Sequence, residues 1–212
     1  MADEILKCTA GVDGVGTREC GEQVNTTPKK SNSFMTRHNT EEHDFYPTPD
    51  YATEQLLSRE SFEGGVIWEC ACGNGAMSKV IKSRGYQVFS TDLIDRGYGE
   101  IRNLDFIREL PDIYRCRHII TNPPYKIAKP FIVQALNFTT GKVAMLLRLA
   151  FLESADRYEL FQTTPLRTVY VFSKRLTMSA KGEGKNKGGM IPFAWFVWEH
   201  GYKGKPQIEW IL

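Results

Sequence analysis

No run of about 18 apolar residues occurs in the 212 residues of this chain, and no charged-then-apolar leader opens it. Neither a membrane span nor a secretory signal is therefore expected, and the expected location is the cytoplasm. Cysteine is sparse and odd in number. Cys8, Cys20, Cys70, Cys72 and Cys116 are scattered without paired Cys-x-x-Cys clusters, a pattern that argues against a zinc site or a disulfide framework and reads as reduced thiols with no metal. The phosphate-loop signature is missing as well. Gly11-Val12-Asp13-Gly14-Val15-Gly16 follows no strand and ends in no Lys-Ser/Thr, and Gly182-Glu183-Gly184-Lys185-Asn186 lacks the required spacing. No internal repeat appears. The formal net charge is only +2, so overall charge selects no partner.

The charge that is present is unevenly placed. Residues 1–44 carry five basic and eight acidic side chains, whereas residues 165–212 carry eight basic and three acidic ones. A basic end suits a polyanionic partner, although lysine-rich loops are commonly just solvated. Within that end, Lys181, Lys185 and Lys187 stand on a glycine-rich stretch and are expected to contact a nucleic-acid backbone. Residues 1–43 are rich in Gly, Thr, Ser, Asn and charge with little periodicity, and read as a flexible or peripheral arm. Residues 44–212, in a chain that is 42% hydrophobic, suffice for one domain with a single core.

Three strand-to-loop transitions carry chemistry. Val66-Ile67-Trp68 reads as a buried strand that enters Glu69-Cys70-Ala71-Cys72-Gly73-Asn74-Gly75 before a helix over 76–83. Gly73 and Gly75 would let backbone approach a ligand closely, beside the free N–H groups of a helix start. The third glycine of the dinucleotide fingerprint is absent, and a plain βα turn is the bland alternative. The next strand, 85–91, ends at Asp92, where an open α/β sheet sets a carboxylate against ribose hydroxyls. Further on, Asp105 could accept from an adenine amino group, with Phe106 or Leu93 packing on the ring; singly, each acid also reads as a solvated loop residue or helix cap.

The third transition follows the apolar run His118-Ile119-Ile120-Thr121: Asn122-Pro123-Pro124-Tyr125. The Asn122 side-chain oxygen and the Pro123 carbonyl supply two acceptors close together, Pro123 and Pro124 stiffen the turn, and Tyr125 offers a flat face for stacking. Such a site suits a planar nitrogen whose lone pair is delocalised into a ring or an amide. An ordinary proline-rich turn is the alternative. Thr48 and Pro49 suit the cap and first position of a helix whose inner face bears Leu56 and Leu57. After that loop, 130–138 reads as a helix, 142–149 and 167–172 as strands, and 192–198 with 207–211 as a closing hairpin. Trp195 and Trp198 read as core. Residues 148–153 either line a substrate pocket or, for Phe151 and Leu152, belong to the core, the reading preferred here.

This ordered series resembles the class I S-adenosylmethionine-dependent methyltransferases, and within them the adenine-N6 DNA methyltransferases of the small phage and prophage type. The likeness spans roughly residues 44–175, including Asp44-Phe45-Tyr46-Pro47-Thr48-Pro49 ahead of the glycine motif. It implies an α/β, Rossmann-like class I methyltransferase fold: a mostly parallel seven-stranded sheet with a C-terminal antiparallel strand. It implies S-adenosyl-L-methionine as cofactor, with Tyr46 and Thr48 near its carboxylate, Glu69 near its amino group, and Gly73 and Gly75 beneath the nucleoside. Ala71 stands in the same loop where the wider superfamily often has glycine. Asp92 falls on the ribose, and Leu93, Asp105 and Phe106 on the adenine. Asn122, Pro123, Pro124 and Tyr125 map onto the catalytic motif, with Asn122 also bordering the cofactor.

The activity so implied is methylation of the exocyclic amino group of adenine in DNA, in the cytoplasm of a host if the gene is a phage's. No segment looks long enough to be a separate target-recognition domain, so weak sequence preference is expected. RNA adenine-N6 or guanine-N2 methylation is the runner-up. Protein glutamine methylation and a non-catalytic cofactor-binding module are further alternatives. Oligomeric state is not legible.

Overall fold

The short apolar runs 67–69, 118–121, 142–148 and 193–199 form strands buried on both faces, as the centre of a helix-covered sheet requires. The computed structural model describes residues 45–109, 116–178, 189 and 191–212. The expected arm over 1–43, and Lys181, Lys185 and Lys187, lie outside the described residues. Among those described, β1 (Ile67–Glu69), β2 (Val88–Asp92), β3 (Ile101–Arg102), β4 (His118–Thr121), β5 (Lys142–Arg148), β6 (Leu166–Phe172), β7 (Phe193–Glu199) and β8 (Gln207–Ile211) form one sheet in the order β3-β2-β1-β4-β5-β7-β6-β8. Pairing is parallel from β3 to β5. β7 then inserts antiparallel to both β5 and β6, and β8 runs parallel to β6 at the edge.

Successive residues of each strand enter opposite cores. Ile67, Ile120, Ala144, Leu146, Trp195 and Val197 pack with Ala52 and Leu56 of helix α1 (Asp50–Leu57) and Met77 and Ile81 of helix α2 (Ala76–Ser83). Trp68, Ile119, Val143, Met145, Leu147, Phe196 and Trp198 pack with Phe131, Ile132 and Ala135 of helix α3 (Ala128–Phe138) and Leu160 of helix α4 (Tyr158–Thr163). The result is a sheet wound with helices on both faces. Trp195 and Trp198 are core, as the sequence suggests.

Several local expectations need correction. The last two strands do not form a hairpin, because β6 lies between β7 and β8. The eighth strand, beyond the seven expected, is the two-residue β3, too short to leave a pattern in sequence; β8 falls where a strand is expected but pairs with β6. Phe151 is buried, but Leu152 is 39% exposed. Helix α1 begins at Asp50, with Pro49 in the cap position and no capping side chain; the Thr48 hydroxyl is engaged elsewhere.

The N-terminal edge of the parallel strands is tied by buried charge. Glu60, 3% exposed, accepts from Lys142 Nζ at 2.7 Å, from the Tyr170 hydroxyl at 2.6 Å and from Arg167, whose other nitrogen reaches Glu199 at 3.0 Å. Burial and the adjoining carboxylate raise the Tyr170 pKa. Nearby, the Lys142 N–H donates to His118 Nδ1 at 2.9 Å, so Nε2 carries the proton facing the Glu63 carbonyl at 3.0 Å. Removing one member of a buried charge cluster leaves its partners uncompensated. Glu60→Ala is expected to lower unfolding stability by about 3 to 5 kcal/mol, as measured by urea denaturation.

Candidate functional site

β1, β2 and β4 all end at one edge of the sheet, and the loops leaving them surround a cavity of about 340 Å³, within the range of small-molecule sites. Tyr46, Thr48, Glu69, Ala71, Gly73, Asp92, Leu93, Asp105, Phe106, Asn122, Pro123, Pro124 and Tyr125 all line it. Positions dispersed over 80 residues of sequence therefore share one concave wall. Gly75 does not line it, and the three lysines lie outside the described residues.

The glycine loop is shaped by aromatic rings. Gly73 has φ +55°, and a Cβ there would run into the Phe45 ring; Gly75, at φ +77° in the cap position of α2, would run into Tyr98. Glycine is needed at both positions for backbone reasons as well as for space. At Gly75 the space a side chain would take is filled by this protein's own Tyr98. The Phe45 ring is covered in turn by the Arg96 guanidinium, 4.1 Å from its centroid.

Asp92 closes the loop from the next strand. Its Oδ2 accepts from the Gly73 N–H at 2.7 Å and its Oδ1 from the Ile94 N–H at 2.8 Å. This one carboxylate holds two ligand-facing loops in register while each oxygen keeps a further lone pair. Glu69, 2% exposed, accepts from the Ser78 hydroxyl, and Ser78 lies 2.7 Å from Ser90 Oγ. Burial pushes the Glu69 pKa up to about 8, against the hydrogen bond from Ser78 and with a smaller contribution from Asp92. Burial, Glu69 and Asp92 push the Cys72 thiol up to about 12. Cys70, Cys72 and Cys116 are all free and buried, as expected of reduced thiols.

Asp105 begins a turn, its Oδ1 accepting from the Ile107 N–H at 3.0 Å. Phe106 is 2% exposed and packs edge-on to Trp68 and against Phe131. It forms the cavity floor rather than a free stacking face. Leu93, 52% exposed, is the residue with apolar surface to offer there.

On the far wall, Asn122 follows β4. Its Nδ2 donates to the Thr48 hydroxyl at 3.1 Å, and its Oδ1 is buried with no hydrogen-bond partner among the described residues. Thr48 precedes α1, so a helix packed on the sheet fixes the orientation of the amide. Pro124 opens a short 3-10 turn (Tyr125–Ile127), its carbonyl accepting from the Ile127 N–H at 3.1 Å. The Tyr125 ring stands beside Phe193 and carries the Arg148 guanidinium 4.8 Å from its centroid. Sequence reasoning overlooked Arg96 and Tyr98, which bear no motif. It also missed the Thr48–Asn122 bond, whose partners are 74 residues apart.

No protein-family model matches the chain, and no curated protein matches it either. Among solved structures, a Pyrococcus horikoshii protein assigned as an RNA methyltransferase superposes with a TM-score of 0.57 at 16% identity, over 73% of this chain and 86% of that one. A modification subunit assigned to a type I restriction enzyme of Vibrio vulnificus YJ016 gives 0.55 at 14% identity, over 79% of this chain and 47% of its own length. The 23S rRNA methyltransferase ErmE gives 0.52 at 17% identity, over 76% and 71% respectively. These likenesses establish the Rossmann-like class I methyltransferase fold.

Glu69 makes stability depend on pH. Between the ordinary carboxylate value of 4.5 and about 8, the folded chain holds a proton that the unfolded chain has released. Its contribution is full below the lower value and lost as pH rises through the upper one. Glu69→Gln is expected to flatten that decline, as read from urea midpoints between about pH 5 and 9.

Proposed function

We propose that this chain is a methyltransferase that transfers the methyl group of S-adenosyl-L-methionine to the exocyclic amino nitrogen of adenine in DNA. The observation that carries the reading is Asn122 Oδ1: a buried acceptor without a partner, oriented by Thr48 at the wall of the cavity. An unpaired buried acceptor costs roughly 1 to 3 kcal/mol, which an incoming N–H would recover. The cavity suits the cofactor. Glu69 and Thr48 offer polar contacts for its amino-acid end, Asp92 offers lone pairs for a ribose, and Leu93 gives apolar cover for the adenine, with Asp105 near its amino group.

When bound, the sulfonium supplies an already electrophilic methyl group. The work left to the protein is alignment and the placing of acceptors. An adenine amino nitrogen is planar because its lone pair is delocalised into the ring. Asn122 Oδ1 and the Pro123 carbonyl accept its two hydrogens, draw the nitrogen toward tetrahedral geometry, and stabilise the positive charge that develops on it. Asn122 is neutral and removes no proton itself; as the N–C bond forms and the S–C bond breaks, the sulfur leaves as a neutral thioether and the surplus proton passes from the nitrogen to water. The target base is flipped from its duplex and stacked against Tyr125, at an unstacking cost of a few kcal/mol. Lys181, Lys185 and Lys187 hold phosphates, which carry no sequence information, so sequence preference is weak. The RNA methyltransferases among the structural neighbours make RNA the second reading.

Incubation with labelled cofactor and DNA, RNA or cell protein, followed by nucleoside mass spectrometry, tests the substrate class. Asn122→Ala is expected to lower turnover by roughly 100-fold or more with cofactor affinity nearly unchanged, the signature of a lost transition-state contact. A variant as fast as the parent would make Asn122 a turn residue only. Replacing the three lysines together by Ala is expected to flatten the salt dependence of duplex binding by roughly two to three units, at about 0.9 per contact.

A further inference from the structure

Arg148 ends β5, the strand beside β4, and its guanidinium rests over the Tyr125 ring with the central carbon 4.8 Å from the centroid. The residue is exposed, and its side chain makes no ion pair or hydrogen bond with any described residue. It does not line the cavity that Tyr125 lines. An arginine normally turns its planar fork of N–H donors to a carboxylate or phosphate. Here the aromatic face orients the fork without neutralising it. Beside the cavity there is thus an unspent, pre-oriented cation, attached to the same ring that would receive a base.

Building on the function proposed above, we propose that Arg148 binds the phosphate diester of the nucleotide whose base enters the cavity. Tyr125 then links the two halves of one nucleotide, meeting the base on the cavity side while holding the cation that meets the phosphate. A protein amide carries no anion at that position, so this arrangement assigns the substrate to the polynucleotides, whether deoxyribose or ribose. Arg148 forms and breaks no covalent bond, and its contribution is to binding.

The test compares the intact protein with Arg148→Ala and Arg148→Lys, using fluorescence anisotropy of a short adenine-containing DNA duplex and a matching RNA hairpin over a salt series. KM and kcat are measured on the same nucleic acids, with Asn122→Ala alongside. Arg148→Ala is expected to flatten the salt slope by about 0.9 on duplex DNA or about 0.7 on single-stranded sequence. It should also raise KM roughly tenfold with kcat nearly unchanged, the scale of one charge-assisted contact. Arg148→Lys keeps the charge and should restore the slope. The nucleic acid that the intact protein methylates and whose KM rises in Arg148→Ala identifies the sugar type. An unchanged slope and KM in Arg148→Ala would overturn the proposal, as would a loss confined to kcat or an intact protein that binds neither nucleic acid. A large kcat loss in Asn122→Ala beside an unaffected Arg148→Ala would sink this inference alone and leave the methyltransferase reading standing.

Discussion

The orientation of the Asn122 amide at the candidate site depends on how helix α1 is fixed to the sheet. Its C-terminal end runs into Glu60, a buried carboxylate held in place by Lys142, Arg167 and Tyr170 from two strands. Its body is fixed by the Trp195 indole N–H, which donates to the Ala52 carbonyl at 2.8 Å. A buried charge tolerates little displacement from its partners, because separation exposes the full desolvation penalty of each ion. Pro49 occupies the cap position of this helix, and the hydroxyl of Thr48, one residue earlier, accepts from the Asn122 amide. A charge cluster at one edge of the sheet therefore governs the orientation of a neutral acceptor at the other.

The two edges use polar groups in opposite ways. At the N-terminal edge, the Glu60 carboxylate and both His118 ring nitrogens are satisfied within the protein, which stabilises the fold and leaves those atoms little capacity for a ligand. At the C-terminal edge the groups are held but not exhausted. Asp92 uses each oxygen once, Asn122 uses its donor and leaves its acceptor, and Arg148 is stacked but unpaired. That asymmetry is what an open α/β sheet makes available, since ligands enter where the parallel strands end.

Much of this was legible in sequence because the relevant signals are local. The run His118-Ile119-Ile120-Thr121 followed by Asn-Pro-Pro-Tyr defines a strand and its loop within eight residues, and α2 spans the expected 76–83. Strand pairing was less legible. Nothing in the aromatic run 192–198 or in 207–211 tells that β6 comes between them, because a buried strand reads the same whichever neighbour it takes. The role of Thr48 was missed for a similar reason. Thr followed by Pro is a plausible helix start by local propensity, but a hydroxyl is equally good as an acceptor for a distant amide, and the fold selects the second. Gly75 shows the same limit: the requirement for glycine was visible, but the ring that fills the space belongs to Tyr98, 23 positions away.

The unsatisfied oxygen of Asn122 also bears on why a neutral residue suffices. Thr48 fills the donor side of the amide and leaves the acceptor open. In the reaction proposed above, a carboxylate in the same place would bind the amine more strongly, but it would add a charge to the wall of a cavity that Glu69 and Asp92 also line. Burial would raise its pKa, and whatever fraction took up a proton would present a donor in place of an acceptor on one oxygen. An amide cannot be switched off in this way. Its dipole persists at every pH at which the protein is folded, and in the proposed transfer it would strengthen its hold as positive charge develops on the nitrogen, so that the interaction would favour the transition state over the bound substrate.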